Sequence, residues 1–409
     1  MSTETTWLGP YRIDDHTITV PLSTDPGDEH EIDVFARVIT PPGGKDFEHL
    51  LFLQGGPGNE APRVPADWFP TALERHRLVL LDQRGTGRST PLGVSPAGEV
   101  PEAEYLSHFR ADGIVRDAET LREHLGIQRW SVLGQSFGGF TLLHYAQAAP
   151  GSISRAYFTG GLPSVTRDVE EIYRETYGEL ARHSERFYRA FPKLRPVVRD
   201  LEARAAERTI VLPDGEAVSP SRLKSLGHLL GTNDGWQQLA ALLDLGPKHP
   251  AFAHDLAGLL PFDGRNPLYY VLHESSYANG EATNWAAERA LPEEFVKDSS
   301  LFTGEHVFSE WADTVPAFRP WRKTAAELAG WQWPTLWEPE ALAESGMKGA
   351  AAIYATDAFV PLRFSLETAD LLPGVERLIT SEHEHNGLRA SGGRVLRHLF
   401  ELADGSRTR

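Results

Sequence analysis

RWSVLGQSFGGF, residues 129–140, contains the pattern that decides the fold. Within it Gly134-Gln135-Ser136-Phe137-Gly138 reads G-x-S-x-G. Residues 129–133 in front of it have strand character. Residues 140–149 behind it read as a helix that ends at Pro150. A serine on a sharp turn between strand and helix projects from the sheet edge, where a base and a substrate carbonyl can reach its hydroxyl. Gly134 and Gly138 lack a Cβ, which lets the chain turn and the helix pack close. A plain Gly-Ser turn could show the same five letters. The flanking strand and helix make Ser136 the expected nucleophile of an acyl transfer.

Working outward, residues 11–22 and 32–38 alternate like strands, with a turn at Asp25-Pro26-Gly27. Continuous apolar runs at 49–53 and 77–81 read as buried strands, the first stopped by Gln54-Gly55-Gly56-Pro57-Gly58 and the second by Asp82-Gln83-Arg84-Gly85. Residues 113–125 have helical period and 154–158 give another strand. Buried strands alternating with helices imply a mostly parallel sheet covered on both faces. The rhythm breaks between about 165 and 333, where the sequence is helical, charged and tryptophan-rich. Helices are expected there over 168–190, 197–206, 223–245 and 284–290. The alternation resumes with strands at 350–354 and 375–379 and helices near 364–371 and 394–402. The expected organisation is an α/β core formed by residues 1–164 and 334–409, interrupted by a helical cap over 165–333.

The 409 residues are 41% hydrophobic, enough for a large core, and the formal net charge is −17. Such a surface repels phosphate backbones and argues against a nucleic-acid partner. There is no cysteine, which excludes disulfides, thiolate nucleophiles and cysteine metal sites. The first fifteen residues are acidic and lack the apolar stretch of a secretory signal. No run approaches the roughly 18 apolar residues of a membrane span. The expectation is a soluble cytoplasmic protein with no membrane partner.

A nucleophilic serine needs a base, an acid that orients the base, and an oxyanion hole. On this class of sheet the order along the chain is Ser, then Asp or Glu, then His. Asp357 follows the strand at 350–354 and His385 follows the strand at 375–379, both at carboxyl ends, where catalytic groups of open α/β sheets gather. His383 shares the loop with His385 and is the rival base; Asp370, inside an expected helix, is the weaker rival acid. The glycine turn after the strand at 49–53 stands where the second oxyanion donor belongs, making the N–H groups of Gly56 and Phe137 the candidates. Dinucleotide and phosphate loops fail for want of glycines or a GKS/GKT run, and His273-Glu274-Ser275-Ser276-Tyr277 lacks the second histidine of a zinc motif. The His383/His385 pair could ligate a metal, but the triad accounts for His385 better.

Five segments together, QGGPG (54–58), DQRGTGRS (82–89), GQSFGGF (134–140), TDAFVP (356–361) and EHEHNGLR (382–389), resemble the proline iminopeptidase family of α/β-hydrolases. HESSY (273–277), TNWAAER (283–289) and FTGEH (302–306) extend the resemblance into the insertion. The family's loop often starts with His where this chain has Gln54. The resemblance implies release of N-terminal proline from small peptides, without cofactor or metal, under a helical cap that recognises the free amine. It implies Ser136 as nucleophile, Asp357 as acid and His385 as base. It also implies Glu274, Tyr277 and Glu305 as substrate-binding groups, the two glutamates on the ammonium. The alternative is an esterase, amidase or aminopeptidase of other specificity on the same triad. Asp82, Arg84 and Arg88 are expected to brace the loop beneath the site.

Overall fold

A computed structural model describes residues 2–407. Nine strands form one sheet: β1 (Ser2–Leu8), β2 (Tyr11–Pro21), β3 (Glu31–Thr40), β4 (Glu48–Leu53), β5 (His76–Leu81), β6 (Trp130–Gln135), β7 (Ile153–Thr159), β8 (Gly349–Tyr354) and β9 (Val375–Thr380). Their order is β1-β2-β3-β5-β4-β6-β7-β8-β9. β1 to β3 and the β3–β5 pair are antiparallel, and from β5 to β9 every pair is parallel.

The register explains why the inner strands read as unbroken apolar runs. One row across the sheet sets Val38 beside Val79, Val79 beside Leu51, Leu51 beside Val132, and Val132 beside Ala156. Side chains of this row enter the core on one face, with Ile114, Val115, Leu121 and Leu142 from the helices Ala111–His124 and Phe137–Ala148. Their neighbours Leu50, Phe52, Leu78, Leu80 and Leu133 point to the other face, against Trp68, Phe69, Leu396 and Phe400. Each fully buried Val, Leu or Phe contributes about 1.5–3 kcal/mol, so a strand buried on both faces is fixed at every residue. This is the α/β-hydrolase architecture expected from the sequence.

Between β7 and β8 the chain is helical apart from one isolated bridge, Val211 to Ala217. The helix Val169–Ala190 opens this region, capped by Asp168, whose carboxylate accepts from Glu171 N at 2.7 Å. Phe187, Leu201, Leu226, Leu239, Leu256 and Phe302 form a separate core within it. Later residues, including Phe262, Leu268, Tyr277, Trp311 and Trp337, join the core of the sheet instead. The insertion therefore has one half with its own interior and one half rooted in the main domain. Among the described residues no helix is long and apolar enough to cross a membrane.

Three local expectations differ from what is observed. The helix expected over 223–245 is broken into Pro220–Lys224, a 3-10 turn Ser225–Gly231, and Gly235–Leu245. The break follows from packing, since a Cβ on Gly227 would lie 2.1 Å from Thr303 O and one on Gly231 would lie 2.3 Å from the Phe359 ring. β1 was not expected. It is exposed along its whole length and pairs residue by residue with β2, so no buried face writes a period into it. The helix after Ser136 starts at Phe137 rather than at 140.

At the elbow the tightest approach is at Gly138, where a Cβ would sit 1.9 Å from Leu53 O on β4. Gly138→Ala is expected to lower thermal stability markedly, by about 1–3 kcal/mol or more, because helix and sheet backbones must part. Gly151→Ala is the control, since nothing stands within 4 Å of its Cβ position. A thermal melt showing equal stability for the two variants would refute this account of the elbow.

Candidate active site

β6 lies between β4 and β7, so the turn that follows it opens at the middle of the sheet. Ser136 takes φ 55° and ψ −125° there, and its N–H donates to Thr159 O at 3.0 Å. A side chain in this region of φ/ψ costs about 1–3 kcal/mol. The surrounding backbone holds it: Gly139 N donates back to Ser136 O at 2.7 Å.

Asp357 and His385 come from the turns after β8 and β9, at the same carboxyl edge. His385 Nδ1 and Asp357 Oδ2 are 2.8 Å apart; with the carboxylate as acceptor, Nδ1 carries the hydrogen. Asp357 Oδ1 accepts from Phe359 N and Val360 N, both at 2.9 Å, which fixes the carboxylate from its other side. The pair rests on Gly160, whose φ is +53° and where a Cβ would lie 2.9 Å from His385 Nδ1. His385 Nε2 is buried without a hydrogen-bond partner among the described residues. Burial opposes the imidazolium, but Asp357, by charge and hydrogen bond, and Glu305 outweigh it, so the His385 pKa lies above its ordinary value.

The rivals stand apart from this pair. His383 is 3.5 Å from Asn233 Nδ2 and its charged neighbour is Glu382 at 4.0 Å. Asp370 is exposed and paired with Arg377 at 2.8 Å.

Ser136 and His385 line one cavity of about 240 Å³, together with Gly55, Gly56, Gln135, Phe359 and Arg389 from the core and His228, Asp263, Tyr269 and Glu305 from the insertion. The insertion thus covers the carboxyl edge where Ser136 opens. Phe137 is the first residue of its helix, so its N–H has no acceptor one turn earlier. Gly55 N is taken by Gln54 Oε1 at 3.0 Å, whereas among the described residues no protein acceptor sits on Gly56 N–H. Gln54, in the place of the expected histidine, also donates through Nε2 to Glu60 O at 3.1 Å and accepts Gln83 Nε2 on its own carbonyl at 2.6 Å. The loop is braced from both ends.

The two glutamates have different surroundings. Glu305 faces the cavity, accepts the Tyr269 hydroxyl on Oε1, and lies 3.7 Å from His228 Nδ1. Burial raises its pKa against the pull of His385 and the Tyr269 bond. Burial first, then His385 and Arg389, push the His228 pKa down to about 4, so it stands neutral beside Glu305. Glu274 does not line this cavity. Its two oxygens accept Ala286 N at 3.1 Å and Ala287 N at 2.8 Å, capping the short helix Ala286–Arg289. Tyr277 packs behind, its ring 5.6 Å from both Phe140 and Tyr173; burial, then Glu305 and Asp357, hold its phenol well above the ordinary value.

Arg84 and Asp117 form a buried two-point pair at 2.8 and 2.6 Å. Asp82 accepts Ala61 N and Arg88 N, so these residues brace the loop under the site. Tyr269, His228 and Arg389 were not among the expected site residues. Arg389 carried a readable signal, four positions after His385 in the EHEHNGLR segment. His228, alone in an apolar stretch, and Tyr269 gave none that separates them from core.

A family model described as the alpha/beta hydrolase fold matches residues 48–194. The proline iminopeptidase of Aeromonas sobria is 39% identical over 407 residues, covering 95% of this chain and 95% of that one. A proline iminopeptidase of Aspergillus aculeatus is 28% identical over 97% of this chain and 94% of its own. Among solved structures, a serine hydrolase from Cycloclasticus zankles superposes with TM-score 0.44 at 16% identity, over 96% of this chain and 100% of that one. With near-complete coverage at the identity of the Aeromonas protein, on a sheet that carries serine, aspartate and histidine at its carboxyl edge, this chain belongs to the proline iminopeptidase family of α/β hydrolases.

Proposed function

We propose that this protein is a serine exopeptidase that releases N-terminal proline from short peptides through an acyl-enzyme. The observation that carries the reading is the half-buried carboxylate of Glu305 in the same small cavity as Ser136 and His385, the partner of Asp357. A substrate's ammonium on Glu305 sets the distance from the free amine to the scissile carbonyl, which is the measurement an exopeptidase makes.

In this reading His385 Nε2 takes the Ser136 proton as Oγ attacks the prolyl carbonyl. Asp357 holds the imidazolium that forms. The N–H groups of Gly56 and Phe137 receive the oxyanion. Collapse of the tetrahedral intermediate passes the proton to the leaving amine, and water, activated by the same histidine, releases proline. No cofactor enters these steps. Glu274 supports the site at one remove by capping residues 286–289, and Tyr277, outside the cavity lining, keeps its phenol protonated near Glu305 and Asp357. A cytoplasmic location belongs to the same proposal and rests on sequence alone; cell fractionation that finds the enzyme elsewhere would overturn it.

Ser136→Ala and His385→Ala are each expected to lose about 10³-fold or more in kcat. His383→Ala should lose far less. A dead His383→Ala beside an active His385→Ala would reverse the choice of base.

Activity requires the neutral imidazole, and the His385 pKa is raised. The acid limb of kcat/KM against pH should therefore lie above about 6.5, the unperturbed histidine value. Glu305→Gln removes one of the charges that raise it, so the limb should move to lower pH. A limb that stays put in that variant would place Glu305 too far away to act on His385.

Substrate panels test the amine contact. Glu305→Gln should reduce kcat/KM for Pro-naphthylamide by about 1.5–3 kcal/mol and leave p-nitrophenyl acetate nearly as before. Glu274→Gln, acting through the helix cap, should reduce both substrates together and lower the melting temperature. Good turnover of acetyl-Pro-naphthylamide by the wild type would sink the exopeptidase reading and favour an esterase or amidase.

A further inference from the structure

The cavity wall carries two acids, Asp263 and Glu305, and two guanidinium groups, Arg265 and Arg389. Three of the four are already matched. Asp263 Oδ1 accepts Arg265 N at 2.9 Å and Asn266 N at 3.3 Å. Arg265 pairs with Glu60. Glu305 holds the Tyr269 hydroxyl and faces His228.

Arg389 differs. Its hydrogen bonds run from Nη2 alone, to Gln54 Oε1 at 3.2 Å and to Gln135 Oε1 at 3.0 Å. Both acceptors are neutral amides. Among the described residues no carboxylate lies within ion-pair distance of this guanidinium, and no protein acceptor takes Nε or Nη1. The protein around its head lowers its pKa, with no acid to oppose the shift. Arg389 is exposed at the mouth of the cavity, so its unmatched donors are open to an anionic ligand.

Its position is specific. Gln135 directly precedes Ser136, and Gln54 directly precedes the Gly55-Gly56 turn, so Nη2 spans the elbow and the oxyanion loop. Arg389 also follows His385 by four residues on the same segment. A planar fork with free donors suits a carboxylate better than any neutral group. In a dipeptide the terminal carboxylate follows the scissile bond by one residue, about 3.8 Å of backbone. It must be met inside this cavity, whose volume of about 240 Å³ falls below the roughly 300–1,000 Å³ usual for drug-sized ligands.

We propose that Arg389 is an anion subsite for the terminal carboxylate of the leaving residue, making free prolyl dipeptides the preferred substrates. It rests on the exopeptidase reading and adds the leaving-group side to it. Glu305 reads the ammonium at one end and Arg389 the carboxylate at the other.

The test measures kcat/KM for Pro-Ala, Pro-Ala amide and Pro-naphthylamide on wild type, Arg389→Lys and Arg389→Gln. Wild type should favour Pro-Ala over its amide by about ten- to a hundredfold, the range for a charge-assisted contact. The ratio should shrink in Arg389→Lys, which keeps charge but not the fork, and fall to near one in Arg389→Gln. A residue that merely braces the loops would lower acid and amide alike and leave the ratio unchanged, which would overturn the proposal. Equal rates on acid and amide by the wild type would overturn it without any variant, so a poorly folding Arg389→Gln does not protect it. Wild type that hydrolyses p-nitrophenyl acetate but none of the three prolyl substrates would mark failure of the exopeptidase reading, and the subsite falls with it.

Discussion

The contact between the backbone of Gly138 and the carbonyl of Leu53 is the constraint on which the site depends. The helix Phe137–Ala148 can start where it does only because no side chain stands between it and the edge of β4. The same closeness recurs at Gly139, where a Cβ would meet Gly161 O at 2.4 Å. With the helix pressed onto two neighbouring backbones, the turn has a single residue in which to reverse direction, and that residue is Ser136 at φ 55°. Its strain is held by the packing of the sheet, and the hydroxyl is displayed as a result. The proposed oxyanion donors follow from the same geometry, since Phe137 is the first helical N–H and the Gly55-Gly56 turn comes one residue after Leu53.

Electrostatics then sort the charges in and around the site by what surrounds each one. The Arg84–Asp117 pair is closed: its side chains are almost fully buried, and Arg84 further donates to the carbonyls of Leu22 and His108 at 2.8 Å. Such a pair adds little net stability against an apolar substitute but is costly to break, which suits a fixed strut. Asp357 is likewise saturated, with two backbone donors and His385. The cavity charges Glu305 and Arg389 are less complete, one on a phenol and a neutral histidine, the other on two amides. Satisfied charges position the machinery, and the incompletely satisfied ones face the space where substrate would lie.

The legibility of the chain follows the same division. Every strand from β2 to β9 has a run or alternation in the sequence, because each buries at least part of one face. β1 buries nothing and left no pattern. The order Ser136, Asp357, His385 was readable because topology forces those residues to strand ends. The choice of His385 over His383 was not readable, because two residues in one loop differ only in where the loop bends, and that is set by hydrogen bonds to the insertion. Glu274 and Glu305 looked alike as letters. Only folding shows that one faces the cavity and the other ends on the N–H groups of Ala286 and Ala287. Arg389 was visible in a motif yet mute, since the absence of a partner is a property of space and not of sequence.

The insertion is tied to the His385 loop as closely as the sheet is. His385 N donates to Gly231 O at 3.1 Å, and Asn233 bonds both Glu384 N and the side chain of Asn386 at 3.0 Å. Phe359, whose N–H holds Asp357, sets its ring edge-on to His385 and stacks on His228, which faces Glu305. A short chain of contacts therefore links Glu305, the proposed ammonium site, with the Asp357–His385 pair. Charge runs along the same route, because Glu305 is one of the groups that raise the His385 pKa. An ammonium placed on Glu305 cancels that charge, lowers the pKa, and leaves more of the imidazole neutral and able to take the Ser136 proton. Under the proposed function, recognition of the free amine and activation of the base are the same electrostatic event, and a substrate with a blocked amine forgoes both.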